Sequence, residues 1–270
     1  MAVQFVTNDK MAETSSKGNQ EKWRDGGRWY KLDRFGYEGL AETVISRLLE
    51  RSSIETDTPF RFVRYRMERM HVHGRERNGC SSSDFLRKGE AIVTLSHLFK
   101  REEQSLKDKL NRLYGDKKRI AFLAEETAAI TGLEQFPKYL TLLFEVDALF
   151  LNDDRHLNNI AVLEKGGRFD YCPIFDNGAG LLSNVQTAPM DVDPVALIRS
   201  AKARPFNTTF NRQMIHARNL YGAQLHIPKF TEEEIRRELE EPLSYYAQRD
   251  RGFIADRVCQ TILSRQKAGH

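Results

Sequence analysis

Apolar residues recur at helical spacing over residues 37–51, where Leu40, Ala41, Val44, Ile45, Leu48 and Leu49 form one broad face with Glu38 and Glu42 at its edge. The same reading predicts helices over 92–99, 104–113, 118–131 and 137–150, then over 193–201, 208–221, 231–240 and 242–265. Pro137 and Pro194 sit at permissible helix starts, and Thr231 with Glu234 spells a capping box. Short apolar or alternating runs predict strands over 28–33, 60–68, 160–163 and 169–175. A turn at Asp25-Gly26-Gly27 precedes the first, and Glu164-Lys165-Gly166-Gly167 joins the last two as a hairpin. The polar run 75–83 reads as a loop. This order divides the chain into a small β-containing lobe over 1–70 and a mainly helical lobe over 71–270, an α+β arrangement with a crossing near 67–73.

Composition changes this picture little. With 270 residues, 40% hydrophobic and 30% charged, the chain can bury one large core or two adjoining ones. The net charge of +4 lies wholly in the first hundred residues, and much of it between 61 and 88, where Arg61, Arg64, Arg66 and Arg69 begin a basic run. Aromatics do not interleave with that run, so it reads as a solvated connector, and no direct nucleic-acid partner is expected. Three cysteines are too few for a disulfide framework and suit a reducing compartment. No apolar run is long enough to span a bilayer, and no basic segment leads into an apolar core at the N-terminus. A cytoplasmic location is the expectation. His71, His73 and Cys80 lack the ligand count and spacing of a zinc site, and no G-x-S-x-G elbow is present for a nucleophile.

Candidate chemistry concentrates in LNDDRHLNNI, residues 151–160. A carboxylate at Asp154 can orient a hydroxyl and accept its proton, and the Asn159 amide oxygen can coordinate magnesium. By itself such a stretch is more often an ordinary capped loop than a catalytic one. A second hard oxygen ligand lies beyond the expected hairpin: Asp176, at a strand end followed by Asn177, Gly178 and Gly180. Upstream, Lys31 can reach phosphates from a strand, and Glu42 or Glu38 on the next helix can hold it. The small polar segment 14–20, with Ser16 and Gly18, suits a loop whose N–H groups meet phosphates. His156 reads either as a brace for the loop or as a participant in proton transfer. Asp153 is a further carboxylate of the loop.

Together these residues carry a resemblance. D-R-H-x-x-N (154–159) and F-D-N-G (175–178) resemble the catalytic and metal-binding motifs of HipA-like serine/threonine kinases and of phosphoinositide lipid kinases. W-Y-K-L-D (29–33), E-G-L-A-E-x-x-x-S-x-L-L (38–49) and G-C-x-S-x-x-F-L (79–86) narrow the likeness to the compact CtkA-like type, over most of residues 15–182. The resemblance implies a two-lobed protein-kinase-like fold that binds ATP between its lobes. It implies magnesium-dependent transfer of the γ-phosphate to a serine or threonine of a protein substrate. Asp154, Lys31 and His156 then fall in the catalytic set, Asn159 and Asp176 hold Mg2+, and Glu42, in preference to Glu38, steadies Lys31. Ser16 and Gly18 fall in the nucleotide loop, whose serines become autophosphorylation candidates. The alternatives are a lipid or small-molecule kinase of the same fold, or a nucleotide-binding partner module without catalysis. The additional N-terminal domain of full-length HipA proteins is not expected, and the oligomeric state is not legible.

Overall fold

Paired glycines start the architecture. Gly26 and Gly27 have φ of 54° and 74° and close a two-residue turn between β2 (Lys22–Asp25) and β3 (Arg28–Leu32); such a turn follows the twist of the two strands. The computed structural model describes residues 3–5, 20–101 and 106–269. In it β1 (Val3–Phe5) pairs parallel with β4 (Tyr65–Val72), which continues antiparallel into β5 (Arg75–Ser83). The sheet order is β1-β4-β5-β3-β2.

The polar run expected as a loop is therefore the central strand of this sheet. Its small side chains are satisfied there: the Ser81 hydroxyl donates to Glu68 Oε1 at 2.7 Å and accepts from Arg28 Nη2 at 2.9 Å. A polar strand can be buried once its hydroxyls have partners. The turn before it also needed recognising, since His73 and Gly74 both adopt positive φ. The strand expected over 60–68 is divided. Residues 60–64 precede β4, and Phe62 forms an isolated parallel bridge to Ile174.

Helix α1 (Glu38–Leu49) lies against this sheet; Gly39 permits its approach, and Gly79 permits the close pairing of β5 with β3. A Cβ on Gly39 would stand 2.7 Å from the Gly79 carbonyl carbon, and one on Gly79 would overlap the Lys31 carbonyl oxygen. A short helix, α2 (Ile54–Asp57), follows.

The second sheet is antiparallel, ordered β6 (Ala91–Thr94), β7 (Ala161–Lys165), β8 (Arg168–Tyr171). The helix expected over 92–99 is thus split, since Ile92, Val93 and Thr94 pair with β7 and only then does α3 (Leu95–Arg101) begin. β-branched side chains favour the pleat when a partner strand is available. The strand expected over 169–175 stops at Tyr171, because Pro173 has no N–H to donate.

The remaining helices are α4 (Leu106–Arg112), α5 (Asp116–Thr131), α6 (Phe136–Phe150), α7 (Pro194–Ser200), α8 (Phe210–Tyr221), α9 (Glu232–Leu243) and α10 (Gln248–Lys267). The Thr231 and Glu234 capping box forms at α9. The last helix starts later than its pattern indicated, because Pro242 closes α9 and Ser244 to Ala247 intervene. All of α6 except Pro137 and Lys138 is buried, as expected of a helix apolar on every side. One core joins Leu40 and Val44 of α1 to Phe144 and Phe150 of α6 and to Val258 and Ile262 of α10. Among the described residues no helix is long and apolar enough to cross a membrane.

Candidate active site

Strand alternation turns Lys31 of β3 inward, where it is 8% exposed. Its ammonium lies 2.6 Å from Glu42 Oε1 and 2.7 Å from Asp176 Oδ1. The second Glu42 oxygen accepts from the Asn177 amide at 2.9 Å, so one carboxylate joins β3 to the turn after Phe175. Glu38 does something else. Its carboxylate accepts from the amides of Arg34, Phe35 and Gly36, at 3.3, 2.7 and 3.1 Å, and closes the turn that leads into α1.

Burial opposes charge on all three groups, and their neighbours decide the outcome. Burial works to lower the Lys31 pKa, but Asp176 and Glu42 outweigh it and raise the ammonium well above its ordinary value. Burial raises Glu42 despite the lysine beside it. Burial also pushes Asp176 up, yet Lys31 and then Lys22 overcome it and hold the carboxyl below the usual range. Of the two carboxylates around Lys31, that of Asp176 is the more open, with 23% of its side chain exposed against 1% for Glu42. An ionised oxygen donor therefore stands not at a strand end, as expected, but in the turn after Phe175, five residues past the end of β8 and with φ of 61°.

Lys22 was not legible as a site residue, although a signal existed. Counting back through the Gly26-Gly27 turn places Lys22 directly opposite Lys31, and residues opposite each other on paired strands share a face. Burial lowers the Lys22 pKa, Asp176 raises it and Lys31 lowers it, so a second cation looks onto the same carboxylate.

The Asp154 loop leaves α6 through Leu151, in the left-handed region at φ 57°. Arg155 organises it. The guanidinium is fully buried; its Nε and Nη2 meet Asp147 at 3.0 to 3.1 Å, and Nη2 also donates to Asn177 Oδ1 at 2.6 Å. Its Nη1 donates to the carbonyls of Phe175 at 2.6 Å and Asn159 at 3.2 Å. A single nitrogen thus holds the backbone beside both expected magnesium ligands. Asn152 adds bonds to Asp147 Oδ1 at 2.9 Å and to the Asp176 carbonyl at 3.4 Å. Burial raises the Asp147 pKa against the pull of Arg155.

The reactive end of the loop is more open. Asp154 has 60% of its side chain exposed, and His156 Nε2 stands 3.7 Å from Asp154 Oδ1. Burial of the carboxyl raises the Asp154 pKa, His156 opposes that shift, and Asp176 adds to it. Asp153 is pushed up to about 6 by burial and by Asp154. The Asn159 amide nitrogen donates to the Asp154 carbonyl at 2.9 Å, which leaves the amide oxygen as an acceptor. Ser16 and Gly18 lie outside the described residues.

Asp176 and Asn159 fit a magnesium ion by chemistry, as hard oxygen donors on two strands of chain tied together by Arg155. Among the described residues no group of three or more His, Cys, Asp or Glu could hold a metal. Magnesium needs no such group, because it commonly takes one or two protein oxygens and completes its shell with phosphates and water.

No protein-family model matches the chain, and no curated protein matches it in sequence. Solved structures do. The crystal structure of the Helicobacter pylori proinflammatory kinase CtkA matches with a TM-score of 0.55 at 13% identity, over 94% of this chain and 92% of that one. The fold is that of CtkA. HipA from Shewanella oneidensis MR-1, in its complex with HipB and operator DNA, matches with a TM-score of 0.48 at 13% identity, over 94% of this chain and 64% of that one. The CtkA-like, two-lobed α+β fold sets the β1 to β5 sheet with α1 beside a mainly helical lobe, and Lys31, Glu42 and Asp176 meet where elements of the two come together.

Proposed function

We propose that the protein is an ATP- and magnesium-dependent kinase that transfers the γ-phosphate to a serine or threonine hydroxyl of a protein. The observation that carries this reading is the joining of two sites that the chain places far apart. Lys31, Glu42 and Asp176 form one charged cluster, and Arg155 ties that cluster to the Asp154 loop. Within this reading the first lobe runs to the end of β5 at Ser83, because that strand is central to its sheet.

Each residue then has a task that its surroundings support. Lys31, held by Glu42, presents a fixed positive charge to the phosphates, and Lys22 adds a second. Magnesium held by Asp176 and Asn159 would neutralise charge that develops between the β- and γ-phosphates. Asp154 orients the acceptor hydroxyl. As that oxygen bonds to the γ-phosphorus and the bond to the ADP oxygen breaks, the hydroxyl proton passes to the Asp154 carboxylate. His156 acts on the charge of Asp154 and on loop shape, since its Nδ1 accepts from the Asn158 amide at 3.2 Å.

Purified protein incubated with labelled ATP and magnesium, followed by mass spectrometry, tests the reading. Phosphate on serine or threonine, lost in Asp154→Ala while nucleotide binding persists, is the expected result. Undiminished transfer by Asp154→Ala would overturn it.

A further inference from the structure

The helix that carries Glu42 is held from behind by the C-terminal third of the chain. Arg47 of α1 donates to the Glu238 carbonyl at 3.2 Å and pairs with Glu241 at 2.7 Å. Arg51, just past its end, pairs with Glu234 at 2.8 Å. Between α9 and α10 the residues Tyr245 and Tyr246 reach across to the first sheet. The Tyr245 carbonyl accepts from Arg69 at 3.0 Å and Asn78 at 2.8 Å, and its hydroxyl donates to the Met67 carbonyl at 3.3 Å. Arg251 of α10 holds the base of this strap through the carbonyls of Ser244 and Tyr246, at 3.1 and 2.9 Å.

Tyr246 ends on a residue placed to transmit what it does. Its hydroxyl donates at 2.6 Å to Asp33 Oδ2, and the other Asp33 oxygen accepts at 2.6 Å from the Gly39 amide in the first turn of α1. Asp33 stands two residues beyond Lys31, and Gly39 three before Glu42. Arg77 of β5 donates to the Asp33 carbonyl at 2.7 Å, so the backbone at this point is pinned as well. Both members of the Lys31–Glu42 pair thus leave from one carboxylate, and that carboxylate is oriented from outside its own lobe. A one-turn displacement of α1 would separate the pair.

We propose that Tyr246 is a positioning residue: through Asp33 it seats the first turn of α1 against β3 and so sets the Lys31–Glu42 pair for phosphate binding. The C-terminal helices then hold α1 in its paired position within the single chain, without a separate protein to push it there. The phosphate part of this statement rests on the function proposed above, whereas the seating of α1 does not.

Tyr246→Phe removes the hydroxyl and keeps the ring. Amide hydrogen exchange by mass spectrometry over peptides covering Gly39 to Glu42 reads the seating of α1, and ATP–magnesium titration with steady-state kinetics reads its consequence. Loss of a hydrogen bond to a buried carboxylate corresponds to about a tenfold change, so exchange in the first turn should quicken and ATP affinity weaken by about that factor. KM for ATP should change more than kcat, because Asp154 is braced separately by Arg155. Tyr245→Phe, which trims the neighbouring tyrosine of the strap, should leave both readouts unchanged. Unaltered exchange in Tyr246→Phe, or an equal effect of Tyr245→Phe, would overturn the proposal. If the parent protein binds no ATP, the phosphate reading fails, and the exchange comparison still decides whether Tyr246 seats α1.

Discussion

Two parts of the candidate site are built in opposite ways. Around Arg155 the side chains of Asp147, Asn152 and Asn177 are buried and hydrogen-bonded, and the guanidinium also takes the carbonyls of Phe175 and Asn159. One residue either side of Arg155 the chain changes character, and Asp154 and His156 stand open with 60% and 44% of their side chains exposed. The contrast separates holding from reacting. A hydroxyl acceptor must be able to reach Asp154, whereas the ligands and charges that receive phosphates gain from fixed geometry and low dielectric. Arg155 spans the boundary, since its side chain belongs to the buried part and its backbone to the open one.

The largest break in this comparison comes from Arg155→Ala, which leaves the buried Asp147 carboxylate without its charged partner and with only the Asn152 amide beside it. A loss of about 3–5 kcal/mol of folding stability is expected, measured by urea denaturation. Removing one partner of a buried pair is costly even where the pair itself contributes little.

Asp154→Ala should give the reverse pattern. Transfer should fall by about 10²–10⁴-fold, the range for a lost general base, in a labelled-ATP assay. Stability should stay within about 0.5 kcal/mol, because an exposed side chain away from caps and cores contributes little. If the denaturation midpoint drops as far as in Arg155→Ala, the division into two parts is wrong.

Acid should separate the two parts in the unmodified protein. Asp154 is shifted up, so it gains its proton first as pH falls, whereas Asp176 is held down by Lys31 and Lys22 and keeps its charge further into acid. Turnover should therefore decline before magnesium–nucleotide affinity does, which parallel kinetic and titration series over a common pH range will show. The smallest effect belongs to His156→Ala. His156 lowers the Asp154 pKa, so removing it should move the acid limb of the activity profile to higher pH, again with stability changed by no more than about 0.5 kcal/mol.

Legibility followed the reach of each interaction. Helices with a clear period, such as α1, α5 and α8, could be read from the chain because their burial pattern repeats within a few turns. The Gly166-Gly167 hairpin and the Thr231 cap were equally local. Strand β6 was missed because its partner, β7, lies far along the chain, and β5 because its polar run carries no apolar alternation and one of its two partners, β3, is distant, although β4 lies just across the His73-Gly74 turn. Nothing inside a serine-rich run announces a central strand.

The site divides the same way. Local spelling offered Asp154, Asn159, Asp176 and Lys31 as candidates, and the resemblance to HipA-like kinases was what selected Asp154 over Asp153 and implied a kinase-like α+β fold. Which glutamate meets Lys31, that Lys22 stands beside it, and that Arg155 ties the loop to the Asp176 turn were decided only by tertiary structure. Short-range pattern determines where charged groups can sit on an element. Which of them meet is settled by how elements pack: Gly39 lets α1 close on the sheet, and the buried guanidinium of Arg155 compels two distant turns to share one set of hydrogen bonds.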